Sequence, residues 1–324
     1  MIPPGKTMNI PKVSICIPVY NSAAYLTAAV ESALAQSFGS FEILIVDDCS
    51  TDGSSEIAAG FAERSSLVRY IVNDTNLGMV SNWNRCLELA RGQYIKYLFG
   101  DDLLSSPHSI ERLAKILDQH PEVSLACSFR SIIDHNGTAM NEVGFTPTGR
   151  PASGLLAIRN CLTSACNYIG EPSSVMFRRQ QALRGFHDGY RQMVDLEMWF
   201  HLLLQGNIWC EREPLAAFRL HPDQQTQHNA ITRVHVEEIL RLYDAYLHEM
   251  GLPRLVKTSL YYVQCYQVWK GYLNDHILSR EQAEQIISRY IPIKQFKALI
   301  PLYKILNPLR KLILFLQNRI TAIR

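Results

Sequence analysis

Short apolar runs alternate with amphipathic stretches over the first 130 residues of the chain. Each run is rich in Val, Ile, Leu or Phe and is bounded by Pro, Gly, Asn or Asp, which is typical of a strand covered on both faces. The stretches between the runs have helical length and spacing. The pattern predicts strands over residues 13–19, 41–46, 67–72, 94–99 and 123–129, and helices over residues 23–36, about 54–64, 80–90 and 107–120.

Strands that alternate with helices in this way build βαβ units, so the expected fold class is α/β with a mainly parallel sheet. Beyond residue 131 the pattern loosens. It predicts a loop or hairpin over 136–154, a helix over 155–164, a strand near 174–177, a helix containing Leu196–Leu204, and short strands at 208–211 and 216–220. Past residue 231 the pattern predicts only helices. We therefore expect an α/β domain over residues 8–227 and a helical C-terminal extension over 228–324.

Composition and charge narrow the function classes. Apolar residues make up 47% of the 324 residues, which excludes a wholly disordered chain. The net charge of +2 gives no indication of nucleic acid as a partner. Residues 285–324, however, carry eight basic residues and no acidic one. We expect this amphipathic tail to make peripheral membrane contact. The alternative is a segment docked on the body or on another subunit.

The cysteines and the N-terminus indicate the compartment. None of the eight cysteines forms a Cys-x-x-Cys pair or a zinc spacing. Residues 1–11 contain no apolar stretch of the kind found in secretory signals, and no run of about 18 apolar residues is present. The expectation is a cytoplasmic protein, peripheral at the inner face of the cell membrane.

Acidic residues follow two of the predicted strands. Asp47 and Asp48 end one strand, and Asp101 and Asp102 follow another. The carboxyl ends of parallel strands are where open α/β sheets bind ligands. Clustered carboxylates repel each other unless a cation or hydrogen-bond donors neutralise them, and a divalent ion would also hold a diphosphate. For Asp47, taken alone, a turn or capping role is the stronger interpretation.

Three segments in order resemble glycosyltransferase family 2. They are Pro18-Val19-Tyr20-Asn21, then Val46-Asp47-Asp48-Cys49-Ser50-Thr51-Asp52-Gly53, then Asp101-Asp102. The resemblance covers roughly residues 10–227. It implies the GT-A fold, a nucleotide-binding α/β domain, and inverting transfer of a sugar from a nucleotide-activated donor, expected to be UDP-linked.

The resemblance also implies roles for individual residues. The implied nucleotide-binding residues are Pro18, Tyr20, Asn21, Asp48, Asn84 and Asp101. The implied ligands of a divalent metal, Mn²⁺ or Mg²⁺, are Asp101, Asp102 and His221, although Phe99 replaces the first Asp of the family's Asp-x-Asp motif. Weaker acceptor or diphosphate contacts are implied for Glu171, Arg219 and Gln224.

Asp195 stands at the position of the family's catalytic base, just before an amphipathic helix, and Val194 replaces the usual preceding Glu. The alternative is that Asp195 only caps this helix. The sequence thus predicts an enzyme that glycosylates a glycan or a lipid-linked acceptor. Two other classes stay open: a catalytically inert sugar-nucleotide-binding or assembly protein, and a nucleotidyltransferase, although the latter's Gly-rich basic loop is missing after the first strand.

Overall fold

The computed structural model describes residues 10–145, 147–222, 224, 234–275, 278–301 and 303. The strands of this part are β1 (Val13–Val19), β2 (Phe41–Asp47), β3 (Val68–Val72), β4 (Tyr94–Tyr97), β5 (Leu103–Leu104), β6 (Val123–Ile133), β7 (Ala139–Val143), β8 (Pro151–Ala152), β9 (Val175–Arg178) and β10 (Asn207–Arg219).

Helices connect and follow these strands. They are α1 (Ala23–Leu34), α2 (Ser54–Arg64), α3 (Met79–Leu89), α4 (Ser109–Gln119), α5 (Gly154–Ser164), α6 (Val194–Leu203), α7 (Val234–Tyr246), α8 (Arg254–Asp275) and α9 (Arg280–Ser288).

The described strands form one mixed sheet in the order β3-β2-β1-β4-β9-β6-β10-β5, with β7 paired to β6 and β8 paired to β10. Strands β3, β2, β1 and β4 are parallel neighbours. Strand β9 runs antiparallel between β4 and β6, and β10 is parallel to β6. The carboxyl ends of β1, β2 and β4 therefore share one edge of the sheet, as the sequence predicts.

Helices cover both faces of the sheet because side chains alternate along each buried strand. Ile15 and Ile17 join a core that includes α1, α2 and α4. Cys16 and Leu44 join a second core that includes α3, α5, α6 and the helices α7 to α9. The α/β prediction is confirmed, and the helical extension shares a core with the sheet.

Two predicted short strands, 208–211 and 216–220, are one continuous strand, β10. Its pairing with β6 shifts register around Pro214. Proline lacks the backbone N–H that a ladder bond needs, so an irregularity at this position is expected. The predicted hairpin region over 136–154 contains β7 and β8.

The first part of the basic tail packs on the extension. The Phe296 side chain is fully buried, and the Tyr262 hydroxyl donates to its carbonyl oxygen at 2.9 Å. Lys297 forms an ion pair with Glu284 at 2.8 Å, and Arg289 pairs with Glu237 at 3.2 Å. Acids from outside the tail therefore offset part of its charge, and this part of the tail is docked on the body, as the alternative interpretation predicts.

The rest of the tail, residues 304–324, lies outside the described residues, as does the expected domain boundary at 227/228. Among the helices that the structure describes, none is long and apolar enough to cross a bilayer.

Candidate active site

The two aspartates at the end of β2 build loops. The Asp47 carboxylate accepts hydrogen bonds from the Ser50 backbone N–H, from the hydroxyls of Ser50 and Ser55, and from the Tyr70 hydroxyl. The side chain has no exposed area. The turn-forming interpretation of Asp47 therefore agrees with the geometry.

Asp48 holds the loop between β3 and α3. Its Oδ1 accepts from Asn73 Nδ2 and from the Leu77 N–H, and its Oδ2 accepts from the Gly78 N–H, all at 2.8 Å. Gly78 has a φ of +83°, a conformation that favours glycine. The Asp48 side chain is only 2% exposed. A carboxylate has about four acceptor positions, so the protein occupies three of those of Asp48, and its contact with a base stays a prediction.

The segment after β1 presents Tyr20 and Asn21 at the same edge. Tyr20 is 55% exposed, which leaves its ring available to a ligand, whereas Pro18 is half-buried. Asn21 has a φ of +51° and its Oδ1 accepts from the Thr51 N–H at 2.8 Å. The Asn21 side chain thus ties the ends of β1 and β2 together.

Asp101 and His221 come from the ends of β4 and β10 and meet at the edge. His221 Nε2 lies 3.1 Å from Asp101 Oδ2. The Asp101 side chain is 25% exposed and that of His221 is 11% exposed, so both remain accessible. The structure therefore brings together two residues that are more than 100 positions apart in the chain.

Asp102 points into the protein. It has no exposed area, and its Oδ1 accepts from the Arg219 N–H at 3.0 Å. Burial, followed by the charge of Asp101, raises the Asp102 pKa well above its ordinary value. Beneath it, burial lowers the pKa of Lys96 to about 7, and the charge of Asp102 opposes this shift. The predicted metal-ligand role of Asp102 is corrected, because a ligand must reach the ion.

Arg219 and Gln224 are buried behind the edge of the sheet that carries Asp101, and both donate hydrogen bonds to backbone oxygens. Arg219 is 4% exposed, and its guanidinium donates to the carbonyl oxygens of Asp101, Asp134 and His135 at 2.8–3.2 Å. Gln224 is 6% exposed and donates to the Arg219 carbonyl. Backbone oxygens accept from Nε and Nη1 of Arg219 and from Nε2 of Gln224, and the diphosphate contacts of both residues stay predictions.

The Asn84 side-chain amide makes two hydrogen bonds with the backbone of Phe186. Its Nδ2 donates to the Phe186 carbonyl at 2.9 Å, and its Oδ1 accepts from the Phe186 N–H at 2.6 Å. This pair of bonds joins α3 to the turn at Gly185, which has a φ of +80°. Asn84 therefore holds this turn, and its contact with the nucleotide stays a prediction.

Phe99, which replaces an acidic residue of the family motif, belongs to an aromatic group. Its ring lies 4.9 Å from that of Trp83, which in turn lies 5.3 Å from Phe186. The Phe99 N–H donates to Ser173 Oγ at 3.1 Å. The end of β4 is thus fixed by ring packing and one hydrogen bond.

Asp195 is the second residue of α6. The helix is preceded by Met193 at the N-cap position, whose side chain makes no capping bond. Asp195 Oδ1 accepts from the Leu196 N–H at 2.7 Å and Oδ2 accepts from Asn167 Nδ2 at 3.0 Å. Two of its four acceptor positions therefore stay open. Asp195 thus satisfies a first-turn N–H and also contacts a residue outside the helix, and its role as catalytic base stays a prediction.

The surroundings of Asp195 favour its neutral form. Burial is the largest cause, the charge of Glu171 adds to it, and together they raise the Asp195 pKa to about 7. The hydrogen bond from the Leu196 N–H works in the opposite direction. A carboxyl group that titrates near neutral pH is suited to general base chemistry.

Glu171 forms an ion pair with Arg130 and is 26% exposed, whereas Arg130 is 5% exposed. The charge of Glu171 raises the pKa of both Asp102 and Asp195, so its carboxylate lies near both groups. The predicted acceptor-side role of Glu171 stays a prediction at a position that suits it.

Sequence reasoning missed the polar residues behind this edge. Asn167 positions Asp195, Arg130 neutralises Glu171, and Ser173 holds the Phe99 backbone. Their partners lie 28, 41 and 74 positions away in the chain. Ser173 lies two positions after Glu171, which the family resemblance singled out, but only the fold shows what each residue contacts.

Of the three side chains that the resemblance implies as metal ligands, Asp101 and His221 are the two that remain candidates. Within the described ranges, no group of three or more His, Cys, Asp or Glu side chains is arranged around a single point. A carboxylate and an imidazole 3.1 Å apart nevertheless fit a divalent ion whose remaining ligands are diphosphate oxygens and waters.

Comparison with known proteins identifies the family. The family model described as glycosyl transferase family 2 matches residues 14–178. The chain is 31% identical over 215 residues to the putative teichuronic acid biosynthesis glycosyltransferase TuaG of Bacillus subtilis, a match that covers 65% of this chain and 79% of TuaG.

Two solved structures share the fold. S. aureus TarS 1–349 in complex with UDP-GlcNAc has a TM-score of 0.63 and 18% identity, over 89% of this chain and 84% of that one. The mannosyltransferase PcManGT of Pyrobaculum calidifontis, in complex with GDP-Man and Mn²⁺, has a TM-score of 0.57 and 14% identity, over 89% and 84%. The chain has the GT-A fold, and it belongs to glycosyltransferase family 2 and is a glycosyltransferase.

Proposed function

We propose that this glycosyltransferase transfers a sugar from a UDP-sugar to a hydroxyl group of its acceptor, with inversion at the anomeric carbon. The observation that carries the proposal is Asp195: a carboxylate at the start of α6 with two open acceptor positions and a pKa raised to about 7. The UDP-GlcNAc bound in TarS supports the choice of donor.

The donor lies across the strand ends in this proposal. Tyr20 offers an exposed ring to the base, Pro18 and Asn21 shape the loop beside it, and Asp48 uses its remaining acceptor position for a base N–H. Asp101 and His221 face the diphosphate.

The reaction is a single displacement. The acceptor hydroxyl oxygen attacks the anomeric carbon, the bond from that carbon to the diphosphate oxygen breaks, and Asp195 takes the hydroxyl proton. The bonding pair leaves with the nucleoside diphosphate. Attack from the face opposite the leaving group inverts the anomeric configuration. Glu171 and Arg130, beside Asp195, line the acceptor side.

A divalent cation, Mn²⁺ or Mg²⁺, would be held by Asp101 and His221 together with the donor diphosphate. When bound, it supplies positive charge that stabilises the departing diphosphate. The Mn²⁺ in PcManGT supports this assignment.

The name of one relative supports a proposal for the acceptor class. TuaG is named for teichuronic acid biosynthesis, so a glycan or lipid-linked acceptor of a cell-surface polysaccharide is the proposed substrate class. Such an acceptor would be met at the inner face of the cell membrane, with residues 304–324 as the candidate peripheral contact.

A donor screen tests the function. The full chain is incubated with UDP-GlcNAc, UDP-glucose, UDP-galactose and GDP-mannose, with and without Mn²⁺, while thermal unfolding and nucleoside diphosphate release are measured. A bound donor should raise the unfolding temperature by mass action. We expect a UDP-sugar to do so and to be hydrolysed slowly in the absence of acceptor.

The screen also separates the alternatives. Stabilisation by donors without release or transfer would indicate an inert binding protein. Pyrophosphate release from a nucleoside triphosphate and a sugar phosphate would indicate a nucleotidyltransferase. Failure of every nucleotide sugar to bind would contradict the proposed function.

A further inference from the structure

The start of α6 has no cap within its own segment. The backbone N–H groups at a helix start need acceptors, and Met193 at the N-cap position provides no side-chain acceptor. Asp195 bonds the N–H of its neighbour Leu196. The acceptors for the residues just before the helix come instead from the helical extension.

Glu238 of α7 supplies them. Its Oε1 accepts from the Arg191 N–H at 2.6 Å, and its Oε2 accepts from the N–H groups of Gln192 and Met193 at 2.9 and 2.8 Å. The Glu238 side chain is 1% exposed. Arg241, one turn further along α7, places its guanidinium 3.8 Å from the same carboxylate. A buried carboxylate with three backbone donors is a rigid anchor, because each donor would lose its partner if the segment moved.

A second contact joins the same two helices. Glu197 of α6 accepts two hydrogen bonds from Arg184, at 2.8 and 2.7 Å, and a third from the Tyr246 hydroxyl of α7 at 2.6 Å. The rings of Tyr246 and Phe200 lie 5.3 Å apart. The first turn of α6 is therefore held by α7 on both sides of Asp195.

We infer that Glu238 is a positioning residue for the transfer reaction: through the backbone of residues 191–193 it fixes the first turn of α6 and thereby the Asp195 carboxylate. The inference rests on the proposed role of Asp195 as the base. The helical extension then contributes to catalysis, because the Glu238 carboxylate of α7 accepts the hydrogen bonds that fix the start of α6.

The matched pair Glu238→Gln and Glu237→Gln tests this inference. Both changes neutralise one carboxylate of α7, but Glu237 is directed to the exposed Arg289. In Glu238→Gln an amide NH₂ replaces an acceptor oxygen and faces backbone donors. We expect kcat for transfer to fall by about tenfold to a hundredfold, as for a misplaced catalytic group, with KM for the donor unchanged. Glu237→Gln should keep the wild-type kcat.

Amide hydrogen exchange gives a readout that does not depend on activity. We expect faster exchange confined to residues 191–197 in Glu238→Gln. Glu238→Asp, which keeps the carboxylate, should recover part of the lost kcat. Equal kcat values for Glu238→Gln and Glu237→Gln, or a loss of kcat shared equally with donor binding, would overturn the inference.

Two further outcomes keep the test decisive. If the wild type transfers no sugar, the proposed function fails, while local exchange in Glu238→Gln still supports the anchor and unchanged exchange contradicts it. If Glu238→Gln does not fold, Glu238→Asp takes its place, since the shorter side chain draws the carboxylate back from the N–H groups of residues 191–193. It should lower kcat at constant KM, and an unchanged kcat together with unchanged exchange at residues 191–197 would contradict the positioning role.

Discussion

Two groups of carboxylates have different surroundings. The first group is Asp47 and Asp48 at the end of β2, and the second is Asp101 after β4 and Asp195 at the start of α6. Asp47 accepts four hydrogen bonds and Asp48 accepts three. Asp195 accepts two, and the described partner of the Asp101 carboxylate is His221. Acidic residues of the family's motifs thus divide into those that build loops and those whose carboxylates have fewer partners within the protein.

The largest expected effect concerns Asp195. Asp195→Asn should cut transfer by about 10² or more, the range of a lost general base, and leave donor binding near normal. The kcat and the donor dissociation constant should be measured together. Asp188→Asn is the matched control, because its side chain is 91% exposed. Near wild-type transfer by Asp195→Asn would show that Asp195 has a structural role like that of Asp47 and Asp48 and is not the base.

Asp48→Ala should act through the loop that it holds. It removes the acceptor of the Leu77 N–H, whereas Asn73 Nδ2 and the Gly78 N–H keep second acceptors on Asn82 and Asn76. A donor left buried and unsatisfied costs about 1–3 kcal/mol of unfolding free energy. Nucleotide binding should weaken equally with and without Mn²⁺. Denaturant unfolding and calorimetry with UDP check both effects. The exposed neighbour Asp74 gives the control variant Asp74→Ala, and equal stability of the two variants would contradict the loop role.

Asp101→Ala should show the opposite behaviour. Its carboxylate is partly exposed and supports no loop with its side chain, so the stability should stay near that of the wild type. UDP binding should weaken by about tenfold in the presence of Mn²⁺, within the range for losing one charged contact, and change little without the metal. Calorimetry in both conditions measures this. The division of roles fails if Asp101→Ala and Asp48→Ala weaken binding in the same way.

The smallest effect on the site is expected from the tail. Deleting residues 304–324 should leave UDP binding and thermal unfolding unchanged but reduce sedimentation with anionic liposomes at low salt, at about 1 kcal/mol per basic residue. Deleting residues 291–324 also removes the buried Phe296, and losing such a side chain costs about 3–5 kcal/mol. If the full chain does not bind liposomes at low salt, the membrane proposal is wrong.

The strands and helices of the first 130 residues could be predicted because their apolar runs are strong and local. The antiparallel position of β9 could not, because strand order depends on contacts between distant segments. In the candidate site, motif residues such as Asp101 and Asp195 were found from their place in the chain. The burial of Asp102 and the backbone partners of Arg219 and Asn84 were not, because a motif does not show which donors already occupy a side chain.

Glu238 and Asn167 are further residues whose contacts the sequence alone does not reveal. Neither belongs to a recognisable motif, yet one holds the segment before α6 and the other bonds Asp195 directly. Such partners are chosen by the packing of α7 and of the segment before β9 against α6, and packing of that range leaves no periodic signal in the sequence.

The pH dependence of transfer tests the central claim most directly. Burial raises the pKa of Asp195 to about 7, and only its ionised form accepts the acceptor proton. The kcat/KM of the wild type should therefore rise about tenfold per pH unit below about pH 7 and level off above it, and the residual activity of Asp195→Asn should lack this rise. A wild-type rise centred near the ordinary Asp pKa of about 3.9, or the same neutral-pH rise in Asp195→Asn, would contradict the assignment of Asp195 as the base.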